Sequence, residues 1–308
     1  MPIRPDLSAF LAKRAAAELP PVGSIPIKDF RKLLLPSPEI NGEAEPINSI
    51  HNRLIVGPTS YLPIRMYRPS ADVNLPLMVF YYGGGWVMGS LDAYDQSLSS
   101  MANLTGSLVI AVAYQKAPEH PFPTPFDDCY ATLEWAIEKS SEIGIDRNRI
   151  GVAGDSAGGN LAAAVALKAR DSGLIKLAYQ LLIYPATTHI DDFESAERNA
   201  TGFGLTRDAM RWFTKQYVQN EVDMKNPYAW PALAKDHSDL PPAVLATTYH
   251  DVLQGDGSAY GTILKNSGVD VNHIDYPDLI HGVFTLAGCS DATKSMQNDL
   301  ANAVRKYI

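Results

Sequence analysis

Residues 154–160 read Gly-Asp-Ser-Ala-Gly-Gly-Asn and follow directly on the apolar run Ile150-Gly151-Val152-Ala153. A Gly-x-Ser-x-Gly set between a strand and a helix constrains the fold more than any other stretch of this chain. A serine on so sharp a turn leaves no room for side chains two residues before or after it, and Gly154 and Gly158 supply that room. Ser156 then stands above the end of a strand. The Ala157 N–H, at the start of the following helix, faces the same space. That helix, Leu161 to Leu167, is apolar nearly all round, which makes it a central, buried element.

Upstream, Tyr82-Gly83-Gly84-Gly85-Trp86 follows the strand-like run Leu77-Met78-Val79-Phe80-Tyr81. Consecutive glycines let backbone N–H groups turn toward a ligand, as an oxyanion hole requires. Downstream, Asp251 follows the apolar run Ala243 to Tyr249, and His281 follows the alternating segment Val269 to Tyr276. Both lie just beyond the carboxyl ends of predicted strands, where open α/β sheets build their ligand sites. The chain order Ser, Asp, His is that of an α/β-hydrolase. The chemistry this implies is acyl transfer to water: Ser156 attacks, His281 carries the proton, Asp251 steers His281, and N–H groups of Gly83, Gly84, Gly85 and Ala157 hold the oxyanion. It calls for no metal and no cofactor.

Each assignment has rivals. Among seven histidines, His250 adjoins Asp251, but neighbouring strand residues point to opposite faces. His120 lies between prolines, and His51, His189, His237 and His273 have no motif around them. For the acid, Asp256, Asp275 and Asp278 compete, with Asp256 the serious alternative to Asp251. Asp155 reads as a brace for the turn and Glu119 as a loop anchor.

These stretches resemble the hormone-sensitive-lipase family of α/β-hydrolases, the bacterial carboxylesterases of family IV. The matching residues are Tyr82 to Trp86, Ala117-Pro118-Glu119-His120-Pro121-Phe122-Pro123, Gly154 to Asn160, Asp251 with Leu253 and Tyr260, and Tyr276-Pro277 with His281-Gly282. The similarity runs from roughly residue 45 to the C-terminus. It implies hydrolysis of short-chain or aryl carboxylic esters, and a homodimer joined through an edge strand at 269–276. The same scaffold also serves ligand-binding proteins and, with the same triad, amide hydrolases and deacetylases. Three positions depart from the family pattern. Tyr82 stands where a histidine is usual, Gln115 where an arginine is usual, and Gly255 where an aspartate usually follows the catalytic acid.

From residue 76 onward strand and helix patterns alternate, which predicts a mostly parallel sheet covered on both faces. The expected strands are 76–82, 107–114, 148–153, 178–184, 243–249 and 270–276, joined by a hairpin within 46–70 to make eight. The expected helices are 93–104, 126–143, 157–171, 257–267 and 291–306. Residues 187–235, with a helix from Thr206 to Gln219, break the alternation. We read them, together with about 1–45 and its helix from Asp6 to Glu18, as a cap on a single α/β-hydrolase domain spanning 1–308. Met210, Trp212, Phe213 and Tyr217 on that helix are placed to line an acyl pocket, and of these Met210 and Phe213 are the named pocket candidates. Tyr82, Trp86, Asp155 and Val283 are further pocket candidates.

A net charge of −8 leaves no basic stripe for nucleic acid. No window reaches the ~20 apolar residues of a membrane helix, and no signal-peptide core precedes residue 22. The expected compartment is the cytoplasm. Two cysteines, Cys129 and Cys289, far apart in sequence, suggest neither a disulfide framework nor a metal site.

Overall fold

The computed structural model describes residues 2–33, 35–189 and 192–308; Leu34 and residues 190–191 of the two expected cap segments lie outside it. Eight strands form one sheet: β1 (Ser49–Val56), β2 (Tyr61–Arg68), β3 (Leu75–Tyr81), β4 (Leu108–Val112), β5 (Ile145–Asp155), β6 (Tyr179–Ile183), β7 (Ala243–His250) and β8 (Val271–Ile280). Their spatial order is β1-β2-β4-β3-β5-β6-β7-β8. β1 and β2 pair as an antiparallel hairpin, β2 runs antiparallel to β4, and every later pairing is parallel. The central strands β3, β4 and β6 are buried along their whole length. This is why they read as unbroken apolar runs, without alternation.

The helices are α1 (Pro5–Ala16), α2 (Ile27–Leu33), α3 (Pro38–Asn41), α4 (Asp95–Thr105), α5 (Thr124–Glu138), α6 (Ser140–Ile143), α7 (Ala157–Ser172), α8 (Glu194–Arg198), α9 (Arg207–Tyr217), α10 (Gln254–Asn266) and α11 (Ala292–Val304). α4 packs on α11, and α5 packs on α7, so the sheet is sandwiched between helical layers. α9 begins where the sequence places it, because the Thr206 hydroxyl caps it by accepting from Ala209 N at 3.1 Å.

Several boundaries differ from expectation for local reasons. The helix expected over 126–143 divides into α5 and α6 at Lys139, whose backbone leaves the helical region. β8 runs four residues further than its alternation indicates, through Pro277 to Ile280. It is an edge strand, where a proline's missing N–H is tolerated. α10 starts at Gln254, three residues early, in the turn that Asp251 itself opens. Cys129 and Cys289 are unpaired.

Candidate active site

Ser156 sits between the last residue of β5 and the first of α7, with φ 56° and ψ −121°. A non-glycine residue in this region is strained, and the neighbourhood explains how the strain persists. Ser156 N donates to Ile183 O of β6 at 2.8 Å, and Asn160 N donates back to Ser156 O at 3.0 Å. A Cβ at Gly154 would lie 2.2 Å from Gly158 O, and one at Gly158 would lie 1.8 Å from Tyr81 O. Only glycines permit α7 to start this close to β3.

His281 Nε2 lies 2.9 Å from Ser156 Oγ, and His281 Nδ1 lies 2.7 Å from Asp251 Oδ2. A proton on Nδ1, held by the carboxylate, leaves Nε2 free to accept the serine hydroxyl's hydrogen bond. Asp251 is fully buried and His281 nearly so. The other Asp251 oxygen accepts from Leu253 N at 2.9 Å. Asn199 Nδ2 donates to the backbone oxygens of Tyr249 and Asp251, both at 2.9 Å, fixing the strand end that carries the acid. The Tyr184 ring packs against the imidazole at 4.7 Å.

The rival groups are committed elsewhere. Asp256 is buried and accepts from Thr187 N at 2.7 Å, from the Thr187 hydroxyl, and from Thr188 N. Burial pushes its pKa up to about 7. Asp275 and His273 both bond the Thr247 hydroxyl. Glu119 pairs with Arg31 through two contacts of 2.8 Å.

The glycine loop divides its labour. Gly83 N donates to Asp155 Oδ1 at 2.8 Å and lies 2.9 Å from the Tyr94 hydroxyl, which itself donates to Asp155 Oδ2 at 2.9 Å. The Gly83 N–H is therefore consumed, and this overturns its assignment to an oxyanion hole. Gly84 and Gly85 follow it along the cavity wall. Ala157 is the first residue of α7, so its N–H has no acceptor within the helix. Burial pushes Asp155 up to about 6, against the opposing hydrogen bonds from Tyr94 and Gly83.

The rest of the loop is strapped down by side chains that sequence reasoning missed. Arg31 Nε donates to Val87 O and its Nη2 to Ala117 O; Lys116 Nζ donates to Gly89 O. Asn160 accepts from Trp86 Nε1 at 3.2 Å and donates to Ala229 O at 2.8 Å. No local motif marks Tyr94 or Arg31: Asp155 lies 61 residues from Tyr94, and Val87 and Ala117 lie 56 and 86 residues from Arg31.

Ser156 and His281 open into a cavity of about 540 Å³ with largely apolar walls, among them Phe10, Phe30, Ile40, Met210 and Phe213. Of the six pocket candidates, Asp155, Met210 and Phe213 line it. Tyr82, Trp86 and Val283 do not: all three are fully buried behind the wall. Tyr82 stacks on Tyr114 at 4.7 Å, and Trp86 stacks on Tyr217 at 4.4 Å. After Gly282 the chain enters a one-turn helix that turns Val283 into the core, leaving Thr285 and Leu286 on the cavity side. Among the described residues, no group of three or more His, Cys, Asp or Glu is placed to hold a metal ion.

A strained serine at a strand–helix turn, facing a histidine and an aspartate beyond later strands of this sheet order, defines the class of α/β-hydrolases. The family profile described as the alpha/beta hydrolase fold matches residues 78–285, and the chain belongs to that family, in the branch related to hormone-sensitive lipase. It is 40% identical to a carboxylesterase, NlhH, of Mycobacterium tuberculosis over 73% of this chain and 72% of the relative. It is 32% identical to an ethyl acetate hydrolase of Pseudomonas putida over 91% and 92% of the two chains. The solved structure of a hyperthermophilic esterase from Pyrobaculum calidifontis superposes with a TM-score of 0.91, at 35% identity and 99% coverage of both chains.

Proposed function

We propose that this chain is a serine carboxylesterase in which Ser156 is the nucleophile, His281 the general base and acid, and Asp251 the group that orients His281. The observation that carries this reading is the continuous chain of short contacts from Ser156 Oγ through His281 to Asp251, opening into one apolar cavity. His281 takes the Ser156 proton as the oxygen attacks the ester carbonyl. The tetrahedral oxyanion forms against the N–H groups of Gly84, Gly85 and Ala157. Collapse expels the alcohol with a proton from His281. Water, activated by the same imidazole, then releases the acid and frees Ser156. Asp155 contributes by holding Gly83 and Tyr94, so that the donors which follow Gly83 are fixed before substrate arrives.

The substrates are small carboxylic esters, and the apolar walls suit acyl or aryl groups. Residues of about 1–45 and 187–235 form the cap in this reading, since α1, α2, α3 and α9 all contribute cavity wall. No described helix is long and apolar enough to cross a membrane. A cytoplasmic location fits two unpaired cysteines. The outer edge of β8 offers a surface for a second copy of the chain.

Ser156→Ala should abolish the p-nitrophenolate burst seen on mixing with an activated ester, and should block labelling by a serine-directed phosphonate. A burst that survives the substitution removes Ser156 as nucleophile.

A further inference from the structure

The cavity that holds Ser156 reaches the N-terminal helix α1, where Lys13 and Arg14 line it. Three other arginines are paired: Arg31 with Glu119, Arg65 with Asp92 and Asp95, and Arg170 with Asp171. No hydrogen bond or ion pair with a described residue holds the Arg14 side chain. Arg14 remains exposed to solvent while lining the cavity, and its neighbours crowd it enough to lower its pKa from the usual arginine value. Arginine nevertheless stays charged.

Two carboxylates line the same cavity, Glu39 and Asp155. Asp155 is occupied by Gly83 and Tyr94. Glu39 lies in the field of Lys13. Arg14 is thus an exposed cation on the cavity wall, with no described carboxylate paired to it. Such a group gains from a ligand anion that reaches it. Apolar side chains line the same cavity, Phe30, Leu33, Met210 and Phe213 among them. They suit a methylene or aryl spacer.

We propose that the cavity takes esters whose end remote from the scissile bond carries a carboxylate, which Arg14 receives while the ester carbonyl lies at Ser156. The proposal rests on the esterase reading and specifies its substrate class: half-esters and ω-carboxyacyl esters. The overall charge of −8 works against anions at long range. Selectivity must therefore come from contact at Arg14 and Lys13.

The test compares p-nitrophenyl ω-carboxyalkanoates with p-nitrophenyl alkanoates of equal length, over a graded series. The ratio of kcat/KM, anionic to neutral, should pass through a maximum at one chain length and shrink with added salt. Arg14→Gln should lower that ratio by up to about fivefold, the worth of an exposed ion pair, and Arg14→Lys should restore part of it. Should the variants misfold, the length and salt dependence of the unaltered protein decide alone. A ratio below one at every length, or one that Arg14→Gln leaves unchanged, overturns the proposal and leaves ester hydrolysis standing. If neither series is turned over, it is the esterase reading that fails. Calorimetric binding of the two series to the Ser156→Ala protein then decides the anion site separately: tighter binding of the carboxylate series supports it, and equal affinity sinks it.

Discussion

Replacing Gly158 by alanine is the most direct probe of how the strained serine is held. The added Cβ would lie 1.8 Å from Tyr81 O, 2.5 Å from Tyr81 C and 2.7 Å from Tyr82 C. These are backbone atoms at the end of β3, which is locked between β4 and β5, so no side-chain rotation relieves the clash. Reaching an ordinary contact of 3.4 Å requires the start of α7 to retreat by about 1.6 Å. Overpacking of a core contact costs about 1–3 kcal/mol, and a backbone-on-backbone clash belongs at or above the upper end. The retreat carries Ser156 with it, and a displacement of about 1 Å at a reacting atom costs on the order of 10²-fold in rate. Gly173, which ends the same helix, is the matched control. Unlike Gly158 it has positive φ, 66°, and nothing lies within 4 Å of its missing Cβ. Gly173→Ala should cost only the left-handed backbone term, about 1–2 kcal/mol, with kcat intact. Urea unfolding midpoints and steady-state turnover of a p-nitrophenyl ester on both variants give the answer. If Gly158→Ala proves as stable as Gly173→Ala and turns over as fast as the parent, α7 does not approach β3 as described and the account of the turn is wrong.

Three further outcomes are expected. Asp251→Asn should lower kcat by roughly 10⁴, as loss of the orienting carboxylate does in serine proteases, while Asp256→Asn stays within about tenfold; the reverse ranking would make Asp256 the acid. The same Asp256→Asn variant should change the pH dependence of stability. Folding raises this carboxyl from 3.8 to about 7, so its contribution favours the folded state most below pH 4 and is lost as pH rises through 7. That contribution amounts to up to about 4 kcal/mol, so its removal should flatten the fall of Tm between pH 4 and 7, and an unchanged slope would show that the group is not buried as described. Thr206→Ala removes the hydroxyl that caps α9 and should cost about 1 kcal/mol in urea unfolding; no loss would mean that the cap bond is not formed in solution.

The sequence is most legible where covalent spacing fixes geometry. Gly154, Ser156 and Gly158 are locked to one another by the chain, so a run of seven residues specifies the turn, the strand before it and the helix after it. The parallel sheet is legible for a similar reason, since strands buried on both faces must be apolar throughout. Asp251 and His281 could be placed at strand ends from the runs that precede them. What the chain hides are contacts whose partners come from far along it. Gly83 reads as a donor to substrate, yet its N–H is spent on a carboxylate 72 residues away. Trp86 and Tyr82 read as pocket walls because they flank the glycines, yet aromatic partners from Tyr114 and Tyr217 draw them into the core. The short helices α2 and α3 have too few turns to show a periodicity, and they take shape by lying over the cavity.

Arg31 belongs to one of those short helices, and its guanidinium holds both Val87 O and Ala117 O while gripping Glu119. The roof of the pocket and the loop beneath it are therefore one mechanical unit. A guest bulky enough to lift α2 would pull on the backbone at Val87, just beyond the glycine loop, and at Ala117. Under the esterase reading, such a guest would be penalised in turnover as well as in admission.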